Sequence, residues 1–130
     1  MRVYLASTAD ELQDFLQELT LDISEVYAPT PIYCATHPEM DEEEIEFSLS
    51  LLAAEDALEL TDDESGAPLV IAFEIPEHLL GAFDEVSANL TGPLTWTMVE
   101  AIFVVGEDPE DLTWFAPQES ESMIADWLAR

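Results

Sequence analysis

The residues with the clearest chemical potential form an acidic run, HPEMDEEEIEF, which extends from His37 to Phe47. Six of the eight positions between Glu39 and Glu46 carry carboxylates, and the run contains no lysine or arginine. Carboxylates at this density can stabilise the start of a helix, bind hard cations, or present a contact surface to a cationic partner. These three roles require different neighbouring residues, so the surrounding sequence can distinguish between them.

Helix electrostatics account for only part of the acidic run. A carboxylate in the first turn of a helix stabilises it by about 0.3–1 kcal/mol. Glu39 with Glu43, and Glu42 with Glu46, are like-charged pairs four residues apart, and each such pair costs roughly 0.2–0.5 kcal/mol. Because these effects nearly cancel, stability does not explain the density of charge. Two interpretations stay open: a solvated helix face, or a partner-binding acidic face made of Asp41, Glu42, Glu43 and Glu46.

The linear charge density of the run suggests a further alternative. At about 1.5 Å rise per residue, eight helical residues span about 12 Å, which gives roughly one charge per 2 Å. Duplex DNA carries one charge per ~1.7 Å of its axis. A protein of this kind could act as a DNA mimic that occupies the basic groove of a nucleic-acid-binding partner. Salt-adapted proteins share such a composition, so the resemblance in charge is not specific.

Metal binding and catalysis find weaker support in the sequence. The segments TDDESG and GEDPED do not match the ligand spacing of a calcium loop, and Cys34, His37 and Glu39 do not make a zinc signature. Neither His37 nor His78 has an organised nucleophile nearby in the sequence. We therefore predict no catalytic residues, no metal and no cofactor, although two carboxylates distant in sequence could still meet in the fold to form a hydrolytic pair.

The composition predicts which partners the protein can bind. Thirty Asp and Glu are opposed by Arg2 and Arg130 alone, lysine is absent, and the formal net charge is -28. Such a surface repels nucleic-acid backbones and anionic lipid headgroups, and the chemistry of lysine is excluded. We expect a basic protein as partner, no direct nucleic acid and no membrane; a homo-oligomer stays open.

Length and hydrophobicity indicate a folded chain rather than a disordered one. With 130 residues and 48% hydrophobic residues, we expect a single globular domain over residues 1–130. The lone Cys34 cannot form an internal disulfide, and RVYLA follows Met1 without a signal-peptide pattern. No segment is apolar for long enough to cross a bilayer. These features favour a cytoplasmic protein.

The pattern of apolar residues predicts the elements that position the acidic run. RVYLAS, IYCAT and PLVIAFEIP are typical of strands, and TADELQDFLQELT and DEEEIEFSLSLLAAEDALEL are typical of helices. The second helix begins near Pro38 or Asp41 and ends at the polar turn TDDESGAP. Its apolar residues form two stripes, which predicts contact with the sheet and with a second element or subunit.

The chain from Glu77 onward is predicted to form mainly strands. EHLLGAF predicts a helical turn, VSANLTGP a short exposed strand, AIFVV and LTWFA two further strands, and SESMIADWLAR a closing helix. The predicted fold is α+β, with a mixed β-sheet and about three packed helices in the order β-α-β-α-β-β-β-β-α.

Several segments together resemble a known family. The opening MRVYLAST, the acidic lead into DEEEIEFSLSLLAAEDAL, the strand LVIAFEIP and the closing LTWFAPQE are similar to a family of small uncharacterised actinobacterial proteins. Its members typically begin with an MRVYLPAT-like segment, from which this chain departs at Ala6. The resemblance implies a bacterial, cytoplasmic protein of unknown function, and it supplies no active-site residues.

Three functional hypotheses follow. The first is a non-enzymatic interaction module whose acidic face meets a basic protein, and the second is the DNA mimic. The third is an enzyme or small-ligand binder with an internal pocket, for which Tyr4, Trp114 and Gln118 are the candidate lining residues. Trp96, Trp114, Phe115 and Trp127 are otherwise expected in the core.

Overall fold

A seven-stranded antiparallel sheet forms the centre of the computed structural model, which describes residues 1–61 and 66–130. Within the described residues the strands are β1 (Arg2–Thr8), β2 (Thr20–Leu21), β3 (Glu25–Tyr27), β4 (Pro68–Glu74), β5 (Leu80–Phe83), β6 (Ser87–Leu90), β7 (Leu94–Thr95), β8 (Val99–Val105) and β9 (Leu112–Phe115). The main sheet has the order β5-β6-β3-β1-β4-β8-β9, and β2 pairs with β7 in a separate ribbon. The middle of the predicted turn TDDESGAP lies outside the described residues.

The α+β class is confirmed, but the prediction of a mixed sheet is wrong. Every pairing between described strands is antiparallel. A β-α-β order normally indicates a parallel crossover. Here the chain enters β2 after the first helix and turns again before β3, so that β3 returns antiparallel to β1. Neither β2 nor β3 is long enough to show a period in the sequence.

Four α-helices accompany the sheet in the described part of the chain: α1 (Ala9–Glu18), α2 (Pro31–Thr36), α3 (Glu42–Leu60) and α4 (Ser120–Ala129). The strand predicted for IYCAT is wrong, because these residues form α2. Thr30 caps this helix by accepting a hydrogen bond from the Tyr33 N–H at 3.0 Å, and Pro31 occupies its first turn. A capping threonine followed by proline is a helix-start signal that outweighs the apolar content of five residues.

The helices cover both faces of the sheet. Along β1, Val3 and Leu5 point into a core shared with α1 and α4, whereas Tyr4 points into a second core beneath α3. The continuous apolar strand β4 alternates in the same way, with Leu69, Ile71 and Phe73 on the first face and Val70 and Ala72 on the second. A central strand covered on both faces was predicted from this run and is confirmed.

Helix α3 packs on the sheet through one broad face. Its buried residues are Ile45, Leu49, Ser50, Ala53, Ala54 and Ala57. Of the second predicted stripe, Ala54 is buried, but Phe47 is 55% exposed. Small residues at the contact let the helix lie close to the sheet, and the larger Phe47 is left at the margin.

The shorter segments largely follow the prediction. A 3₁₀ turn forms at Glu77–Leu79, as expected for EHLLGAF, and the chain then continues into β5. The strand in VSANLTGP is present as β6, but it is less exposed than predicted, because Ser87 and Ala88 are buried. No helix within the described ranges is both long and apolar enough to span a membrane.

Candidate functional site: an acidic helix start beside an aromatic groove

The predicted acidic face lies at the start of α3. Asp41 is the N-cap, and its carboxylate accepts a hydrogen bond from the Glu44 N–H at 2.9 Å. Asp41, Glu42 and Glu43 are exposed, whereas Glu46 is half-buried. The helix dipole therefore accounts for the cap and the first turn. It does not account for Glu46, which lies in the second turn.

The four acidic residues divide between two neighbouring concavities. Asp41, Glu42 and Glu46 help to line a cleft of about 540 Å³ beside the chain terminus, which we call the N-terminal cleft. Glu43 and Glu46 help to line a groove of about 360 Å³ on the other side of α3, which we call the aromatic groove. Glu46 borders both, so it is the shared wall between the two concavities.

The aromatic groove separates α3 from the hairpin formed by β8 and β9. It is lined by Tyr4, Glu43, Glu46, Phe47, Ser50, Phe103, Glu110 and Leu112. Ala72 and Ala101 follow Tyr4 in the same row across the sheet. Both alanines are buried in the core beneath α3, so the floor of the groove is formed by Tyr4 and Phe103 on either side of them.

An exposed aromatic surface continues from the groove to the sheet edge. Phe103 pairs with Trp114 on the neighbouring strand β9, which places both rings on the α3 side of the sheet. Trp114 is 58% exposed and Phe47 is 55% exposed. The expectation that Trp114 belongs to the core is therefore wrong, since β9 is an edge strand and α3 does not extend over it. Trp127, in contrast, is fully buried against Phe115, with ring centroids 5.1 Å apart.

The acidic surface continues beyond the first turn of α3 onto the hairpin. Glu43, Phe47, Leu51 and Glu55 are spaced four residues apart and so share one helix face. Glu110 in the β8–β9 turn lines the aromatic groove, and it also lines an adjoining hollow of about 350 Å³ that contains Leu51, Glu55 and Asp108. Carboxylates from two separate elements thus border one apolar stripe.

The three residues predicted to line an internal pocket are only partly brought together. Tyr4 lines the aromatic groove, whereas Trp114 lies outside it, beside the groove residue Phe103 on the same face of the sheet. Gln118 is exposed in the turn Pro117–Glu119 that leads into α4, and it lines neither of these concavities. One of the three residues therefore lines the groove, and a second is its exposed neighbour.

The N-terminal cleft holds the other side chains that the sequence singled out. Cys34 and His37 line it together with Arg2. The His37 ring lies 4.5 Å from the Tyr33 ring, and its Nδ1 is 2.9 Å from the Tyr33 carbonyl oxygen. No group of three His, Cys, Asp or Glu side chains is arranged to hold a metal ion within residues 1–61 and 66–130.

Arg2 combines with an aromatic ring rather than with a carboxylate. Its Nε donates to the Tyr4 hydroxyl at 3.0 Å, and its guanidinium carbon lies 5.7 Å from the centre of the Tyr4 ring. Burial raises the pKa of Tyr4, and the nearby Arg2 opposes this shift. The Tyr4 phenol, which lines the aromatic groove, therefore accepts a hydrogen bond from Arg2, which lines the N-terminal cleft.

A tyrosine–carboxylate pair that sequence reasoning missed connects the sheet to α3. The Tyr27 hydroxyl donates to the Asp56 carboxylate, and both side chains line a third cleft between β3 and α3. Burial, and then the hydrogen bond to Asp56, raise the pKa of Tyr27 well above its usual range. The two residues are 29 positions apart and belong to no local motif, so the sequence carries no signal for the pair.

The fold and the site define a class: a single antiparallel sheet with helices on both faces and an acidic, aromatic-bordered groove along the longest helix. Comparison with known proteins places the chain in a family. Residues 1–111 match the model described as "Family of unknown function (DUF6912)", and the chain belongs to this family. The match ends within the β8–β9 turn, so β9 and α4 lie beyond it.

The predicted resemblance to a family of uncharacterised proteins is confirmed, and the actinobacterial origin stays a prediction. No curated protein and no solved structure matches the chain.

Proposed function

We propose that the protein is a non-enzymatic interaction module whose acidic face, made of Asp41, Glu42, Glu43 and Glu46, binds a basic protein. The observation that supports the proposal most is the continuation of the acids onto Glu110 and its neighbours across an exposed aromatic surface. Opposite charge would steer the partner to this surface, and the apolar stripe would then supply short-range contact area.

The proposal is tested by affinity purification with the intact protein as bait. Captured proteins are identified by mass spectrometry at low and at moderate NaCl. We expect partners with basic isoelectric points whose recovery falls as salt rises, because a charged contact is screened over about 10 Å at 0.1 M salt. Partners that are acidic or neutral, with recovery unaffected by salt, would contradict the proposal.

A matched pair of charge variants separates the acidic face from total charge. The test variant replaces the four residues of the face with amides: Asp41→Asn, Glu42→Gln, Glu43→Gln and Glu46→Gln. The control variant makes the same change in charge with exposed residues of α1 and α4: Asp10→Asn, Asp14→Asn, Glu18→Gln and Glu121→Gln. We expect the test variant to weaken binding of the identified partner about tenfold and the control to weaken it far less. Equal losses would mean that total charge, and no particular face, governs binding.

The DNA-mimic alternative uses the same acids but requires a different partner. It predicts that duplex DNA competes with the protein for its partner, because both would occupy one basic groove. The groove beside Phe47 favours insertion of a partner segment over this alternative, since a DNA mimic needs carboxylates on a projecting surface. Competition by duplex DNA in the same binding assay would reverse that preference.

Small-ligand binding is a second candidate function, favoured by the N-terminal cleft. The cleft combines Arg2, Glu42 and Glu46 with the apolar Met40 and Ile45, which suits a small polar molecule with an apolar body. Thermal-shift measurements with a panel of amino acids and amines test this candidate. A compound that raises the melting temperature of the unmodified protein but not of the Arg2→Gln variant would support small-ligand binding. If no compound in the panel raises the melting temperature, this candidate is contradicted.

A further inference from the structure

We propose that the aromatic groove and the adjoining Trp114 ring bind an extended, arginine-rich segment of the partner, with guanidinium groups stacked on Phe47 and Trp114 and paired with Glu43, Glu46 and Glu110. This inference rests on the proposed function and adds the chemistry of the partner segment. It concerns the face between α3 and the β8–β9 hairpin and makes no use of the N-terminal cleft.

The dimensions of the surface suit an extended peptide. From Glu43 to Glu55 the exposed stripe of α3 covers twelve residue steps, which is about 18 Å at the rise of an α-helix. An extended chain advances about 3.3 Å per residue, so about five or six residues would lie along the stripe. Alternate side chains of such a segment point to one side, and they can therefore enter the groove together.

The pairing of rings with carboxylates favours arginine over lysine. A guanidinium group is planar, stacks on aromatic faces and pairs with carboxylates through a rigid fork, whereas an ammonium group is a strongly hydrated point charge. Phe47 and Trp114 are more than half exposed, and Glu43, Glu46 and Glu110 border the same surface. Within the chain, the Arg2 guanidinium lies over the Tyr4 ring, which is an example of the ring contact without a carboxylate partner.

The two rings belong to one continuous surface. Gly106 donates its N–H to the Asp111 carbonyl at 2.7 Å across the hairpin. Because hydrogen-bonded and non-hydrogen-bonded pairs alternate along an antiparallel ladder, Phe103 and Trp114 occupy a non-hydrogen-bonded pair, in which side chains approach closely. Phe103 and Phe47 line the same groove. A segment in contact with Phe47 can thus reach Trp114 over Phe103.

Charge argues against a second copy of this chain as the occupant. Each copy carries a formal charge of -28, and the carboxylates around the groove would face carboxylates of the second copy. Like charges opposed across an interface disfavour association. A basic segment removes the same repulsion, because it neutralises the carboxylates on binding.

The experiment compares two synthetic ten-residue peptides of equal charge. One alternates arginine with serine and the other alternates lysine with serine, and each carries a fluorescent label. Binding to the intact protein is measured by fluorescence anisotropy at low and moderate NaCl. We expect the arginine peptide to bind more tightly, by about two- to fivefold for each ring that it stacks on.

Variants that keep apolar bulk but remove the rings test the site. We expect Phe47→Leu combined with Trp114→Leu to abolish the preference for arginine while leaving lysine binding nearly unchanged. The matched control is Phe83→Leu, because Phe83 is also exposed but lies on β5 at the opposite edge of the sheet. Circular dichroism checks that each variant is folded, and the two single substitutions serve if the double variant is not.

The outcomes distinguish this inference from the proposed function. If both peptides bind equally and in a salt-dependent manner, the acidic face binds cations but the groove does not select arginine, and the inference is overturned alone. If neither peptide binds at low salt, the proposed function fails as well. If the variant that lacks both rings still binds the arginine peptide more tightly than the lysine peptide, arginine does not stack on Phe47 and Trp114, and the inference is overturned. Sedimentation velocity provides one further test. If the unmodified protein is a dimer and the variant with Phe47→Leu and Trp114→Leu is a monomer, a second copy of the chain occupies the surface and the inference is overturned.

Discussion

At the scale of single residues, Asp41 carries two roles that can be separated. Its carboxylate caps α3 through the bond to the Glu44 N–H, and its charge belongs to the acidic face. Asparagine preserves the first role and removes the second, because its side-chain oxygen accepts the same bond. This is the reason that an amide replacement can test binding without loss of the helix start.

The cap makes a specific prediction for stability. Replacement Asp41→Ala is expected to lower the free energy of unfolding by about 1 kcal/mol, whereas Asp41→Asn is expected to leave it nearly unchanged. Urea denaturation followed by circular dichroism measures both variants. An equal loss for alanine and asparagine would mean that the charge in the field of the helix, rather than the hydrogen bond, provides the stabilisation.

The residue pair Tyr27 and Asp56 predicts a dependence on alkaline pH. The pKa of Tyr27 is raised in the folded protein above its ordinary value of 10.0, so the folded state holds the phenol proton more tightly than the unfolded chain does. The resulting stabilisation is fully present below pH 10 and is lost as the pH rises above that value. Denaturation midpoints measured from neutral to strongly alkaline pH should therefore be level at first and fall above pH 10.

Substitution at the pair checks the cause of this fall. Tyr27→Phe is expected to lower stability at neutral pH by about 1 kcal/mol through loss of the hydrogen bond, and to make the alkaline fall shallower. Some fall should persist, because burial also raises the pKa of Tyr4. An alkaline fall as steep in Tyr27→Phe as in the unmodified chain would assign the whole effect to other groups.

At the scale of elements, sequence patterns predicted the elements that are long. The unbroken apolar run LVIAFEIP predicted the central strand, and the amphipathic stripe of TADELQDFLQELT predicted α1, because both segments are long enough for burial to leave a clear pattern of apolar residues. The two-residue β2 and three-residue β3 offered no period to detect. Their position between α1 and α2 is what makes the sheet antiparallel, so the error in pairing follows from the missed strands.

Only the part of the candidate site that lies on α3 could be predicted from the sequence. The acidic run correctly located the start of α3, and its cap Asp41 was among the two positions expected to begin the helix. Glu110 and Trp114 come from a hairpin more than 60 residues farther along the chain, and their approach to α3 depends on how the strands are ordered. Trp114 looked like a core residue because a tryptophan in a strand usually is one, and only the position of β9 at the edge exposes it.

At the scale of the whole molecule, charge opposes the compact state. Two ion pairs link charged groups within residues 1–61 and 66–130, one between the N-terminal amine and Glu74 and one between Arg130 and Asp126. Both are at least partly exposed, and surface pairs of this kind contribute little. The remaining carboxylates repel one another, and the hydrophobic cores on the two faces of the sheet must offset that repulsion.

Screening of this repulsion should stabilise the fold. The Debye length falls from about 30 Å at 0.01 M salt to about 10 Å at 0.1 M, so the repulsion between carboxylates farther apart than that is largely screened. We expect the melting temperature to rise with NaCl over this range, by about 4 °C for each 1 kcal/mol of repulsion removed in a chain of this size. The variant with Asp41, Glu42, Glu43 and Glu46 converted to amides should gain less from added salt, because it carries four fewer mutually repelling carboxylates. A melting temperature that does not change with salt in either protein would show that the carboxylates repel one another too weakly to affect stability. The carboxylates along α3 would then contribute no more to stability than those on the rest of the surface.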